Sequence, residues 1–266
     1  MSGAAATPRL AATVMLLRDG PRGIEVFMQV RHEAMNFASG ALVFPGGRVD
    51  EDDYALGRDA GLCPNPEGIA EEELGFRVAG VRETFEECGI LLAHQAGTGA
   101  AIPPERLDEF NARYRLASGG HSINLAAMLR AEGLTLRPHA LVPFARWITP
   151  VTRPKRFDTV FLLARAPENQ LGLHDGTESV ESLWLAPERA IADGEAGRFN
   201  LMFPTMMNLR KLGRAATVEE ALAAARQSRI IPILPEMVGK GPGNKRRMRI
   251  PEEAGYGGSL FEIESP

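Results

Sequence analysis

From Leu74 to Cys88 the apolar residues of this chain return with a helical period. At about 100° per residue, Leu74, Val78, Val81, Phe85 and Cys88 fall on one stripe. The segment is therefore expected to be a helix laid against a core. Glu83, Glu86 and Glu87 group nearly opposite that stripe, which predicts three carboxylates presented together and outward. Gly89 follows the last apolar position and suits a left-handed helix end. Whatever this chain folds into must bury one side of that helix and offset the charge on the other.

The flanking segments predict a sheet. Ala11 to Leu17 (AATVMLL) is a short apolar run that ends in RDGPRG, a turn by composition. In IEVFMQVR, Ile24, Val26, Met28 and Val30 alternate with Glu25, Phe27, Gln29 and Arg31, the pattern of a half-buried strand. The two runs predict an antiparallel hairpin. ALVF before Pro45 reads as a further short strand. Pro45-Gly46-Gly47 then predicts a sharp turn, because proline fixes φ and glycine permits positive φ.

Residues 54–73 read as irregular, with a loop at LCPNPEG. Two helices, each ending in glycine, are expected in PPERLDEFNARYRLASGG and SINLAAMLRAEG. Strands follow at ALVPFARWI, DTVFLLARA and ESLWL, and a helix at APERAIAD has proline near its start. In TVEEALAAARQ, Thr217 stands three before Glu220, the capping-box spacing. The stretch from Lys240 to Pro266, rich in glycine and charge, reads as an ordered arm or a frayed tail. The expected organisation is a mixed α/β domain over 9–194, with an inserted loop at 54–73 and a helical insertion at 94–140. A helical extension and tail over 195–266 packs on the same domain.

Composition narrows the function classes. A formal net charge of -4 offers no general basic field for nucleic acid or an anionic membrane. No run approaches the roughly 18 uncharged apolar residues of a membrane span. Cys63 and Cys88 form neither a disulfide framework nor a CxxC motif, and a reducing cytoplasmic compartment is expected. The five histidines lack the HxxxH spacing of a zinc site.

Carboxylates at i, i+3 and i+4 crowd one helix face and repel, at a few tenths of a kcal/mol per pair. A hard divalent cation offsets that repulsion, since Mg²⁺ prefers carboxylate and water oxygens and is commonly completed by substrate phosphates. Arg82, beside the cluster, can hold a glutamate by charge-assisted hydrogen bonds.

Here the sequence resembles a known family, the Nudix hydrolases, whose box reads G-x5-E-x7-R-E-U-x-E-E-x-G-U with U a bulky apolar residue. Arg82-Glu83-Thr84-Phe85-Glu86-Glu87-Cys88-Gly89-Ile90 matches its second half. Gly47, five residues and then Asp53 match the first half, with aspartate where the family has glutamate. Thr84 stands where the family has a bulky residue. Residues 54–81, 28 positions, separate Asp53 from Arg82 where the family box has seven. The glycine segment and the acid helix thus look like one box split by an inserted loop. FPGG followed by aspartate, WITP followed by RFDT, and Trp184 to Pro187 as Trp-x-x-Pro resemble the branch that contains the peroxisomal coenzyme A diphosphatases. The resemblance spans Ala11 to Ala192.

What the resemblance implies is an α/β/α sandwich around a mixed sheet and a metal-dependent hydrolysis of a diphosphate linked to a nucleoside. Mg²⁺, with Mn²⁺ as an alternative, is expected on Glu83, Glu86 and Glu87, with the Glu83–Glu87 pair at its core. Arg82 is expected to orient a glutamate. The catalytic set is Arg82, Glu83 and Glu86, with Glu178, ahead of Glu181, as a general base from a distant loop. Gly46 and Gly47 let backbone approach metal or phosphate. Arg31 and the cations Arg153, Lys155 and Arg156 are candidates for substrate phosphates. Coenzyme A or an acyl-CoA is the first substrate expectation, giving 3′,5′-ADP and a 4′-phosphopantetheine product. The alternatives are an NADH or ADP-ribose pyrophosphatase, or a non-catalytic nucleotide sensor. A nucleotide-type small molecule is the expected partner, with a homodimer as an option; the sequence assigns the 94–140 insertion neither to the pocket nor to a dimer contact.

Overall fold

The computed structural model describes residues 6–31, 40–119, 122–170 and 179–263. Strands β1 (Arg9–Gly20) and β2 (Gly23–Arg31) form the expected antiparallel hairpin, in register from Leu17 opposite Val26 to Gly20 opposite Gly23. The half-buried reading of β2 is corrected, because Phe27 and Gln29 are as fully buried as Val26 and Met28. A layer of structure lies on each face. Alternate residues of a strand point to opposite sides, and β1 sends Val14 and Leu16 into one apolar core and Met15 and Leu17 into another.

β3 (Leu42–Val43) pairs with β2, as ALVF predicted. The turn expected over Pro45-Gly46-Gly47 is confined to a bend at Pro45. Gly46–Arg48 is a strand, β4, antiparallel to Ala11–Thr13 of β1. β1 therefore pairs with β2 through its last residues and with β4 nearer its start, so a fork opens between the hairpin strands. Helix α1 (Glu51–Gly57) follows, where the sequence reading had irregular chain from residue 54. Its stability is local: Asp53 accepts from the Asp50 N–H at 2.9 Å, and three acids in the first turn suit the positive end of the helix.

Helix α2 (Glu71–Cys88) begins three residues before Leu74 and ends on Gly89 in the left-handed region, φ 70°. Its predicted stripe is buried throughout. The predicted outward presentation of the acids is corrected, since the Glu83 and Glu86 side chains are only 14% and 16% exposed. The inserted region covers part of that side. It comprises β5 (Ala93–Gln95), α3 (Pro104–Phe110), a π turn over Asn111–Arg115, α4 (Leu125–Glu132) and β6 (Leu134–Leu136), which pairs with β5. Gly119 and Gly133 end its helical segments, as expected. Leu107, Phe110, Met128 and Leu129 enter the core that holds Val81 and Phe85 of α2.

β7 (Val142–Ile148), β8 (Phe157–Arg165) and β9 (Ser179–Leu185) complete the central part of the sheet. Helices α5 (Pro187–Glu195), α6 (Phe203–Leu212) and α7 (Val218–Gln227) lie against its other face, where Met207, Leu209 and Leu222 pack with Met15 and Leu17. Thr217 caps α7 by accepting from Glu220 N–H at 3.2 Å, while the Glu220 carboxylate reaches Ala216 N–H, one residue before the capping-box position. With β10 (Pro232–Ile233) the sheet has eight strands: six in the order β10-β7-β8-β1-β2-β3, with β4 paired to β1 and β9 to β2 off that path. β8 runs parallel to β1 and β10 parallel to β7, whereas the β1–β2 and β7–β8 pairs are antiparallel. The result is an α/β/α sandwich around a mixed sheet.

Within the last described residues, β11 (Glu236–Lys240), β12 (Arg246–Arg249) and β13 (Leu260–Ile263) form a separate antiparallel sheet. The segment is an ordered arm, tied down where the Tyr256 hydroxyl donates to Asn208 Oδ1 at 2.6 Å and accepts from Trp147 Nε1 at 3.2 Å. No helix among the described residues is long and apolar enough to cross a membrane.

Candidate active site

Arg82 is the hub of the site. Its Nε and Nη2 each donate to one oxygen of Asp53 at 2.9 Å. Nη2 also donates to Arg48 O at 2.8 Å, and Nη1 donates to Glu83 Oε1 at 2.9 Å and to Glu86 Oε2 at 3.0 Å. All five guanidinium donors are thereby used. Burial alone would depress this guanidinium's pKa, but Asp53, Glu83 and Glu86 together hold it above its ordinary value. The bidentate geometry is the strong form of the pair. It clamps α1, β4 and α2 together and so rejoins the two halves of the split box.

Glu83 and Glu87 meet the glycine strand. A Cβ on Gly47 would lie 2.4 Å from Glu83 Oε1, so only glycine leaves room for that carboxylate. The Gly46 N–H donates to Glu87 Oε2 at 3.0 Å. Gly46 has φ +156°, and a Cβ there would lie 2.3 Å from Ala12 O. Both carboxylates thus lie against one short piece of backbone. Burial pushes the Glu83 carboxyl up to about 7; Arg82 opposes the rise, while Glu86 and Asp53 add to it. A buried carboxyl repelled by neighbouring acids is one that a divalent cation would stabilise in its ionised form. The Glu83–Glu87 pair fits such an ion.

Glu86 faces a different way. Its Oε1 accepts from Ile123 N–H at 2.7 Å and from Ser122 Oγ at 3.0 Å, and its Oε2 accepts from Arg82. Among the described residues, no three or more His, Cys, Asp or Glu side chains converge on one point, and Mg²⁺ is commonly held by only one or two carboxylates. The structure brings Glu83 and Glu87 together and sets Glu86 as a link to the insertion. Thr84, fully buried, satisfies its hydroxyl on Gly80 O at 2.7 Å, which explains how a polar residue occupies that position.

The other expected residues are dispersed. Arg31 ends β2, where the pairing with β9 shifts register between Val30 and Arg31; two residues before it, the Gln29 amide donates to Glu87 O at 3.3 Å. Arg153 and Lys155 are exposed in the turn between β7 and β8. Arg156 is committed to Thr149 O at 3.0 Å and Ala6 O at 2.7 Å. Glu181 is exposed on β9 opposite Val30. Glu178 lies outside the described residues.

Sequence reasoning assigned no role to Asp53, although its place in the box pointed there. It also missed Arg115, Ser122 and Ile123 of the insertion. Arg115 donates to Glu86 O and Glu87 O at 2.9 Å each. One arginine in an arginine-rich helix carries no local signal of such a contact.

Comparisons with known proteins identify the family of the chain. A family model described as the NUDT19 Nudix domain matches residues 64–212, more than half of the chain. The acyl-coenzyme A diphosphatase NUDT19 of Homo sapiens is 28% identical over 239 residues, covering 74% of this chain and 63% of the relative. Its Gallus gallus counterpart is 27% identical over 238 residues, covering 73% of this chain and 62% of the relative. The chain therefore spans about three fifths of the length of these curated relatives. A crystal structure of a NUDIX hydrolase from Alicyclobacillus acidocaldarius superposes with a TM-score of 0.69 at 27% identity, covering 83% of this chain and 97% of that one.

Proposed function

Because the chain belongs to the Nudix hydrolase family through its NUDT19-type domain, we propose that it hydrolyses the diphosphate of coenzyme A or an acyl-CoA to 3′,5′-ADP and a 4′-phosphopantetheine product. The observation that carries the reading is the Arg82–Asp53 fork, which sets Glu83 and Glu87 together against Gly46 and Gly47. Similarity to relatives named acyl-coenzyme A diphosphatase supports the substrate class.

In this reading Glu83 and Glu87 would hold Mg²⁺, with Mn²⁺ as a substitute, an ion that prefers carboxylate, water and phosphate oxygens. When bound, the ion supplies charge neutralisation to the diphosphate and acidifies water. The protein's own part is positional. Arg82 fixes the Glu83 carboxylate, and Gly47 leaves the space that carboxylate occupies. A water oxygen bonds to phosphorus as the bridging P–O bond breaks, and a carboxylate takes the water's proton. Glu178 is assigned that role here. Arg31, the last residue of β2, is assigned to a substrate phosphate. Arg153 and Lys155 are left as the cations of an exposed turn.

The test is purified protein with Mg²⁺ against coenzyme A, an acyl-CoA, NADH, ADP-ribose and a dinucleoside polyphosphate. Release of 3′,5′-ADP from the coenzyme A substrates is expected. Turnover of the other substrates alone overturns the substrate class, and tight nucleotide binding without cleavage under any divalent metal favours a sensor.

A further inference from the structure

The C-terminal end of α2 is electrostatically mis-set. The last carbonyls of a helix lack intrahelical partners and carry partial negative charge. Here the final turns add Glu83, Glu86 and Glu87, and the last turn contains no basic residue. Glu87 is the penultimate helical residue, so a frayed last turn would move its carboxylate away from Gly46. Something outside the helix has to hold that turn.

The insertion supplies it. Arg115, 8% exposed, donates from Nε to Glu86 O and from Nη2 to Glu87 O, both at 2.9 Å. Those are the carbonyls of two of the three glutamates. Asn111, four residues earlier, donates from Nδ2 to Gly89 O at 3.2 Å. Leu116 N–H bonds to Asn111 O, five residues back, and this wide turn presents Asn111 and Arg115 to α2 together. π turns of this kind recur at functional sites. A planar guanidinium can satisfy two adjacent carbonyls at once, which an ammonium on a flexible stem does less well.

We propose that Arg115 is a positioning residue: by capping the Glu86 and Glu87 carbonyls it keeps the last turn of α2 helical and holds the Glu87 carboxylate beside Gly46. The helical insertion is then a working part of the acid site. This rests on the reading that Glu83 and Glu87 hold a divalent cation.

The experiment compares the full-length protein with Arg115→Met and Arg115→Lys. Two readouts are independent of hydrolysis: amide hydrogen exchange across residues 85–90, and Mn²⁺ titration without substrate. Arg115→Met is expected to exchange faster over 85–90 with residues 71–80 unchanged, and to bind Mn²⁺ about tenfold more weakly. Arg115→Lys is expected to fall between wild type and Arg115→Met, and it carries the test should Arg115→Met not fold. In turnover, kcat should fall more than KM rises. Unchanged exchange over 85–90 in a folded variant overturns the proposal. Failure of the wild-type protein to take up Mn²⁺ overturns the metal reading instead, and the exchange comparison still decides the role of Arg115.

Discussion

Asp53 and Arg82, 29 positions apart in the chain, share two hydrogen bonds of 2.9 Å, with side chains only 2% and 5% exposed. That contact folds the split box back into one site. Removing one partner of a buried ion pair leaves the other charge uncompensated, at a cost of about 3–5 kcal/mol. Asp53→Asn keeps the shape and removes the charge. It is expected to lower stability by about 3 kcal/mol in urea unfolding and to reduce turnover sharply. A variant as stable as wild type would show that Asp53 is dispensable to the fold.

Glu83→Gln and Glu87→Gln test the two-carboxylate cation site. Each variant is expected to fold, to lose Mn²⁺ affinity in a titration, and to lose about two to three orders of magnitude in kcat, the scale of losing one preorganised charged group. Glu86→Gln should leave more Mn²⁺ affinity than either, because its carboxylate is engaged by Ile123 and Ser122. Near-wild-type rates in both Glu83→Gln and Glu87→Gln would remove the assignment.

The two glycines separate stability from activity. A Cβ at Gly46 meets backbone, Ala12 O at 2.3 Å and Thr13 Cα at 2.6 Å, at a positive φ. Gly46→Ala is therefore expected to destabilise by about 3 kcal/mol or more, strain and overpacking together. At Gly47 the three atoms nearest a Cβ all belong to the Glu83 carboxyl group, a side-chain end that can give way at the expense of its bond to Arg82, and φ is not positive. Gly47→Ala should unfold close to the wild-type midpoint yet lose at least about tenfold in kcat, equivalent to ~1.4 kcal/mol. Equal losses of stability in the two variants would contradict this.

Glu83 makes the cation-free protein sensitive to pH. Its carboxyl, ordinarily near 4.5, is raised to about 7 by burial, against the opposing pull of Arg82. The native state therefore keeps a proton that the unfolded chain releases first, and stability falls as pH rises from about 4.5 to about 7, then levels. The difference is on the order of 3 kcal/mol. In chelator-treated protein, Glu83→Gln should gain stability over wild type across this window, measured by urea unfolding at each end. A gap that stays constant with pH would remove the assignment to Glu83.

Much of the scaffold was legible because its signals are local. The stripe from Leu74 to Cys88, the hairpin around Pro21 and Arg22, and the helix ends at Gly89, Gly119 and Gly133 depend on neighbours within a turn or a strand pair. Asp53 was visible as a box position even though 28 residues separate it from Arg82. Helix α1 was not, because seven residues held by a capping aspartate carry too little periodicity to read. Pro45-Gly46-Gly47 reads as a turn although Gly46–Arg48 is a strand, since composition cannot tell a glycine that bends the chain from one that admits a neighbour.

The sequence by itself determined that three glutamates share a helix face and that an arginine precedes them, because helical spacing is a property of the chain alone. Only the tertiary structure decided their separate fates. Glu83 and Glu87 meet Gly47 and Gly46, whereas Glu86 turns to Ile123, 37 positions away, and Arg115 caps the carbonyls beneath. The difference is physical: a carboxylate's partners are chosen by which distant donors packing brings within hydrogen-bond reach, and no local period encodes that.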